Sequence, residues 1–197
     1  MHDRDVLVTG ALITAAFVVL QPASMAFVDA RVNEFDLNRR PLHDVSTELL
    51  PDLSRWYWVG DAMTYLFCAV ITACMLRTGR GSLLLRIVWL SIVANAFKIL
   101  LNAVTIHPDP SGECHTRERG WMKSFVGSCN WLMPSGHMLI PLATLFMTYG
   151  NIPPALWWSA SAYTAALSFV TVASRNHYTI DVLVSLFVVG TLAPAMR

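Results

Sequence analysis

Of the 197 residues, 55% are hydrophobic and only 14% are charged, with a mean hydropathy of +0.49. Soluble domains carry about a quarter charged residues, so this composition excludes an ordinary soluble globule and points to a membrane protein. A formal net charge of +1 excludes the basic surface that a nucleic-acid partner requires, and the length fits one integral-membrane domain over 1–197.

A membrane-crossing helix needs roughly 20 mainly apolar residues. Six stretches are expected spans, at about 6–28, 57–77, 83–106, 133–150, 153–174 and 178–196, which predicts an all-α, polytopic six-helix bundle. The first has an apolar run longer than the roughly 7–15 residues of a signal-peptide core, and its Met1–Asp5 start is not basic. It is therefore expected to be a retained helix that Pro22 kinks or ends. The loop after it mixes Arg31, Arg39, Arg40 and Arg55 with Asp29, Glu34, Asp36, Asp44, Glu48 and Asp52. Asp61, near the start of the second span, is available to orient a polar partner but is assigned no role.

Cys68 and Cys74 lie in an apolar run and read as packing residues. The short second loop is ringed by Arg77, Arg80 and Arg86, which favours that side as cytoplasmic. The third loop, near 107–132, holds Cys114 and Cys129, which could pair if it faces an oxidising compartment. Alternating spans then bring His137 and His177 to one face, extracytoplasmic or lumenal. Trp56, Tyr57 and Trp58 at one boundary, and Trp157 and Trp158 at the other, read as an interfacial aromatic belt.

Two polar phrases interrupt this apolar sequence: Pro134-Ser135-Gly136-His137 and His177-Tyr178-Thr179-Ile180-Asp181. On a helix, positions four apart share a face, so Asp181 can hold the His177 imidazole in one tautomer and make it a better nucleophile. Asp181 inside a span would be costly without such a partner. Ser135 and Gly136 look like a helix entry whose N–H groups favour an anionic phosphate, and His137 can act as general acid. Lys98, in the third span, and Arg175, with its planar fork, are candidate phosphate contacts. Trp131, or Trp121, could hold a quaternary ammonium by cation–π attraction. Rival readings are structural. Pro134 and Ser135 fit a loop end and a helix cap, a buried His–Asp pair can be a packing device, and Arg175 can be a solvated loop residue.

The segment His177-Tyr178-Thr179-Ile180-Asp181-Val182 resembles the last motif of the sphingomyelin synthases, within the wider lipid phosphate phosphatase (PAP2-like) superfamily. Cys129-Asn130-Trp131-Leu132-Met133-Pro134-Ser135-Gly136-His137-Met138 is similar to their preceding motif, and Arg40-Pro41-Leu42-His43-Asp44 to a Pro-Leu-Pro-Asp in their first loop. Val104-Thr105 with Pro108, Pro110 and Cys114 resembles the family's exit from the third helix, Lys98 falls where the family has arginine, and Leu156-Trp157-Trp158 matches in place. The resemblance implies a PAP2-like bundle without metal or cofactor. It implies transfer of phosphocholine or phosphoethanolamine from a phospholipid donor to ceramide, or a related diacylglycerol-type lipid alcohol. His177 would be the nucleophile, Asp181 its activator and His137 the acid and then the base. Ser135, Gly136, Lys98, Arg175, Trp131 and Tyr178 would line the substrate. The implied partners are membrane lipids, with room for a homo-oligomer or a role as a membrane-complex subunit.

The sequence also departs from that family. Asn130-Trp131 stands in place of Gly-Asp, and Met138 in place of threonine. Pro134-Ser135-Gly136-His137 itself is closer to the lipid phosphatase form. Alternatives are therefore a phosphatase or phospholipase C-like hydrolase, in which water replaces the lipid acceptor, and an inactive structural subunit.

Overall fold

The computed structural model describes residues 20–32, 41–111 and 130–196, and every regular element among them is helical. Helix α1 covers the described 20–32; then come α2 (Val45–Leu49), α3 (Trp58–Arg77), α4 (Gly81–Val104), α5 (Gly136–Thr148), α6 (Pro154–Ala173) and α7 (Thr179–Leu192). Most of the first expected span lies outside the described residues. Its described part runs through Pro22 to residue 32, so Pro22 sits within the helix and does not end it. The Cys114–Cys129 pairing and Trp121 also lie outside the described residues.

Among the described residues, three helical stretches are long and apolar enough to cross a membrane: Ser54–Arg77, Gly81–Val104 and Thr179–Met196. The expectation of a full-length fourth span is corrected, because α5 has only 13 residues. At about 1.5 Å per residue that is roughly 20 Å, short of a hydrocarbon core of about 30 Å. The shortfall arises because Met133-Pro134-Ser135 stays non-helical and Gly150, at φ 75°, turns the chain away after Thr148. Helix α6 has the length of a span at 20 residues and carries Ser159, Ser161, Thr164, Ser168 and Thr171 along it.

Although short, α5 is the hub of the bundle and packs on α3, α4, α6 and α7. Leu139, Leu142, Ala143 and Met147 meet Ile87, Leu90 and Ala94 of α4, Leu167 of α6 and Val188 and Val189 of α7. At Gly190 a methyl group would stand 3.3 Å from the Phe146 ring, so the missing side chain sets how closely α7 approaches α5.

The distribution of side chains is the inverse of a soluble bundle. Leu66, Val70, Leu100, Leu183 and Phe187 face outward, while Ser91, Thr144, Thr148, Thr164 and Ser185 are buried. Each of these hydroxyls donates to the carbonyl four residues back, at 2.7–2.9 Å. Helices in lipid have this need, because polar groups must be satisfied inside while apolar ones can face out.

A short strap from the first loop closes over the start of α7. One Asp44 carboxylate oxygen accepts from Thr179 N–H at 2.6 Å, and the other accepts from Thr179 Oγ1 at 3.1 Å and from Ser46 N–H at 3.0 Å. One side chain thus caps α7, whose first N–H groups have no helical partner, and also nucleates α2. Loss of such a cap costs about 1–2 kcal/mol. Asp44→Ala is expected to lower the midpoint of thermal unfolding in detergent by several degrees, and Asp44→Asn by less. An unchanged midpoint in Asp44→Ala would mean the strap does not secure α7.

Candidate functional site

The site is assembled at one end of the bundle from the entry to α5, the entry to α7 and the facing ends of α3 and α4. The loop ahead of α5 is buried from Asn130 to Leu132 and at Pro134 and Ser135, so its backbone groups need internal partners. Lys98 Nζ donates to Pro134 O at 2.8 Å, and Asn102 both donates to Met133 O and accepts from Met133 N–H. Ser135 N–H donates to Asp181 O at 3.1 Å, and Ser185 Oγ to Ser135 O at 3.3 Å. This loop therefore docks onto α4 on one side and α7 on the other, which brings His137 against His177. Their ring centroids are 5.3 Å apart and nearly perpendicular, at 77°.

Each histidine has its own carboxylate. His177 Nδ1 lies 3.3 Å from Asp181 Oδ2, an oxygen that also accepts from Tyr178 N–H at 2.9 Å. With Nδ1 facing the carboxylate, the proton sits on Nδ1 and the Nε2 lone pair is the reactive one. His137 Nε2 lies 2.7 Å from Asp61 Oδ1, while its buried Nδ1 has no hydrogen-bond partner among the described residues. His107 completes the cluster, with Nδ1 at 3.6 Å from Asp181 Oδ1, just beyond hydrogen-bond reach. Neither atom has a closer partner among the described residues, so Asp181 is held between two imidazoles. Burial pushes the His177 imidazole down to about 4, against the opposing pull of Asp181, so it is neutral at physiological pH.

The other expected contacts fall into two groups. Lys98, Ser135, Gly136 and Trp131 gather beside the histidines. Lys98, only 3% exposed, sits with Nζ 4.4 Å from the centre of the Trp131 ring and 3.6 Å from where a Gly136 side chain would begin. The Trp131 indole N–H donates to Ser24 Oγ at 3.0 Å, so this ring joins α1 to the motif loop and takes the Lys98 ammonium. Ser135 Oγ is buried with no partner among the described residues.

Arg175 and Tyr178 turn instead toward the first-loop strap. Arg175 has φ 59° and donates from Nη2 to Thr47 O at 2.5 Å, while its Nη1 is buried without a partner among the described residues. The Tyr178 hydroxyl accepts from Leu42 N–H at 2.9 Å, and its ring meets the edge of His107. Among the described residues, no three His, Cys, Asp or Glu side chains converge as metal ligands do.

Sequence reasoning gave Asp61 no role in the site and passed over His107. Both carry a signal in hindsight: Asp61 is a carboxylate opening an apolar span, and His107 is an imidazole just past the end of another.

Residues 128–196 match the family described as PAP2 superfamily C-terminal. Members of the PAP2 superfamily are typically enzymes that act on phosphoryl groups. Over 70 residues the chain is 36% identical to Protein PHLOEM UNLOADING MODULATOR of Arabidopsis thaliana, a match covering 34% of this chain and 16% of that protein. The family match includes His137, His177 and Asp181, whereas Lys98, His107 and Asp61 come from the preceding part of the chain.

The buried, neutral state of His177 can be measured directly. In protein labelled with 15N-histidine, this ring is expected to remain neutral and protonated at Nδ1 at about pH 5.5, where a free histidine is mostly cationic. Conversion to imidazolium near pH 6.5 would show that burial does not control it.

Proposed function

We propose that this chain is a multi-pass membrane enzyme of the sphingomyelin synthase kind, moving a phosphate-linked head group from a phospholipid to ceramide or a related lipid alcohol. The observation that supports this most is the facing pair of histidines, each held by its own carboxylate, at the end of apolar helices. A nucleophile oriented through one nitrogen, with a proton carrier beside it, is what two-step group transfer needs.

In the first step, His177 Nε2 attacks the phosphorus and forms a P–N bond as the bond to the diacylglycerol oxygen breaks. His137 gives its proton to that oxygen, and diacylglycerol leaves. In the second, His137 takes a proton from the acceptor hydroxyl, whose oxygen attacks phosphorus as the P–N bond breaks. Both histidines return to their starting states. Asp181 steadies the charge that His177 gains, and Asp61 does the same for His137. Lys98, with N–H groups beyond the one held by Pro134 O, and the α5 N-terminus offset the phosphate charge. Phosphocholine and phosphoethanolamine are the head groups proposed, with lipids as the partners. The basic second loop supports a lumenal or extracytoplasmic position for the histidine end.

Hydrolysis is the second reading, favoured by the lipid-phosphatase form of Pro134-Ser135-Gly136-His137. There, water takes the place of the lipid alcohol in the second step.

The purified protein in bilayers of phosphatidylcholine or phosphatidylethanolamine with labelled ceramide is expected to produce a head-group-bearing ceramide. His177→Ala should abolish it, and His137→Ala and Asp181→Asn should each lower it at least about a hundredfold. Asp61→Asn is expected to slow turnover about tenfold and to shift its pH profile, since His137 would lose its carboxylate. Diacylglycerol without a ceramide product would establish hydrolysis instead. No turnover, with stable co-purification of other subunits, would establish a structural role. Transfer retained in His177→Ala would remove the nucleophile assignment.

A further inference from the structure

The end of the bundle away from the histidines is shaped by two tight turns. Between α3 and α4, Gly79 takes φ 67° and Arg80 N–H returns to Met75 O at 2.8 Å. Between α5 and α6, Gly150 takes φ 75° and Asn151 N–H returns to Thr148 O at 2.8 Å. Both glycines occupy the left-handed region that closes a helix, and an Arg80 guanidinium N–H donates to Asn151 O and joins the two turns.

At this junction lies a cleft of about 540 Å³ lined by Arg80, Ser82, Leu83, Arg86, Met147 and Asn151, among others. Ser82, Leu83 and Arg86 share one face at the start of α4. No aspartate or glutamate occurs in 62–108 or 119–180, the stretches that build this end of α3 to α6, and none lines the cleft among the described residues. The charged side chains lining the cleft among the described residues are therefore Arg80 and Arg86, at a level where helices long enough to cross a membrane end.

We propose that this cleft binds the phosphate of an anionic phospholipid head group. Arg80, already fixed by Asn151, and Arg86 supply charged donors suited to phosphate oxygens. Ser82 Oγ and the first N–H groups of α4, which have no helical acceptor, add neutral ones. Leu83 and Met147 give the apolar floor that a lipid's glycerol and first methylenes need, and that a free phosphate does not use. Basic pockets between helices at a membrane boundary bind anionic head groups in this way. Met147 lies ten residues along α5 from His137, about 15 Å by helical rise, so this site is separate from the histidines.

The test is native mass spectrometry of the full chain released from detergent micelles, in a His177→Ala background so that no lipid is consumed. The probes are phosphatidic acid, phosphatidylcholine and inorganic phosphate. Phosphatidic acid is expected to be retained several-fold more than phosphatidylcholine, and Arg80→Gln with Arg86→Gln to lower its retention about tenfold. Ser82→Asp, which places a carboxylate in the cleft, is expected to act in the same direction and serves if the double variant does not fold. Displacement of phosphatidic acid by an equal concentration of inorganic phosphate would overturn the lipid assignment in favour of free phosphate. Undiminished retention in the folded variants would overturn the site.

Discussion

A stretch of non-helical backbone is buried at one end of this bundle, and most of the site follows from satisfying it. In lipid-facing proteins irregular backbone survives only where protein or trapped water supplies every partner. Within this stretch, Met133-Pro134-Ser135 takes its backbone partners from Lys98, Asn102, Ser185 and the Asp181 carbonyl. Those four belong to α4 and α7, so the accounting for a few carbonyls fixes where α5 begins and where His137 points. The shortness of α5 is part of the same arrangement: the chain gives up helical turns to make a loop that can carry chemistry.

Lys98 shows how one residue serves two purposes. A buried ammonium is costly unless it is hydrogen-bonded, and here it has a carbonyl and an aromatic face. Those contacts place its charge beside Gly136 and within the field of Asp181. A lysine that only snorkelled to the surface would do neither. Trp131 is used the same way, since its indole ties α1 to the loop while its face meets the cation.

How legible all this was in the sequence depends on the range of the interactions. The helices at 58–77, 81–104 and 154–173 were visible because apolar runs bounded by Arg, Gly and Pro are local signals, and the starts and ends differ by a few residues at most. The His177–Asp181 contact was expected from helical spacing, but His177 precedes α7, and Asp181 in the first turn of that helix reaches back to it. The partner of His137 was not expected, since Asp61 is 76 residues away and only tertiary packing joins them. The same holds for the strap, where Asp44 reaches Thr179 across 135 residues. The short fourth helix was misjudged because the hydropathy of the 133–150 stretch does not say that Met133-Pro134-Ser135 stays non-helical.

The carboxylates raise a last physical question, because Asp61 and Asp181 stand where a phosphate would have to react. A bare carboxylate near that position would repel the substrate and raise the energy of the transition state. Here Asp181 faces His177, His107 and the Tyr178 N–H, and Asp61 faces His137. Their charge is thus directed into imidazole rings and backbone donors, and the outer nitrogens of those rings, with Lys98, would be what an incoming phosphate meets. When an imidazole gains positive charge during a reaction, the carboxylate behind it is already in place to offset that charge, with no reorganisation required. In the proposed reaction, pairing Asp61 and Asp181 with histidines would both turn their negative charge away from a phosphate and keep it where it offsets positive charge on the rings.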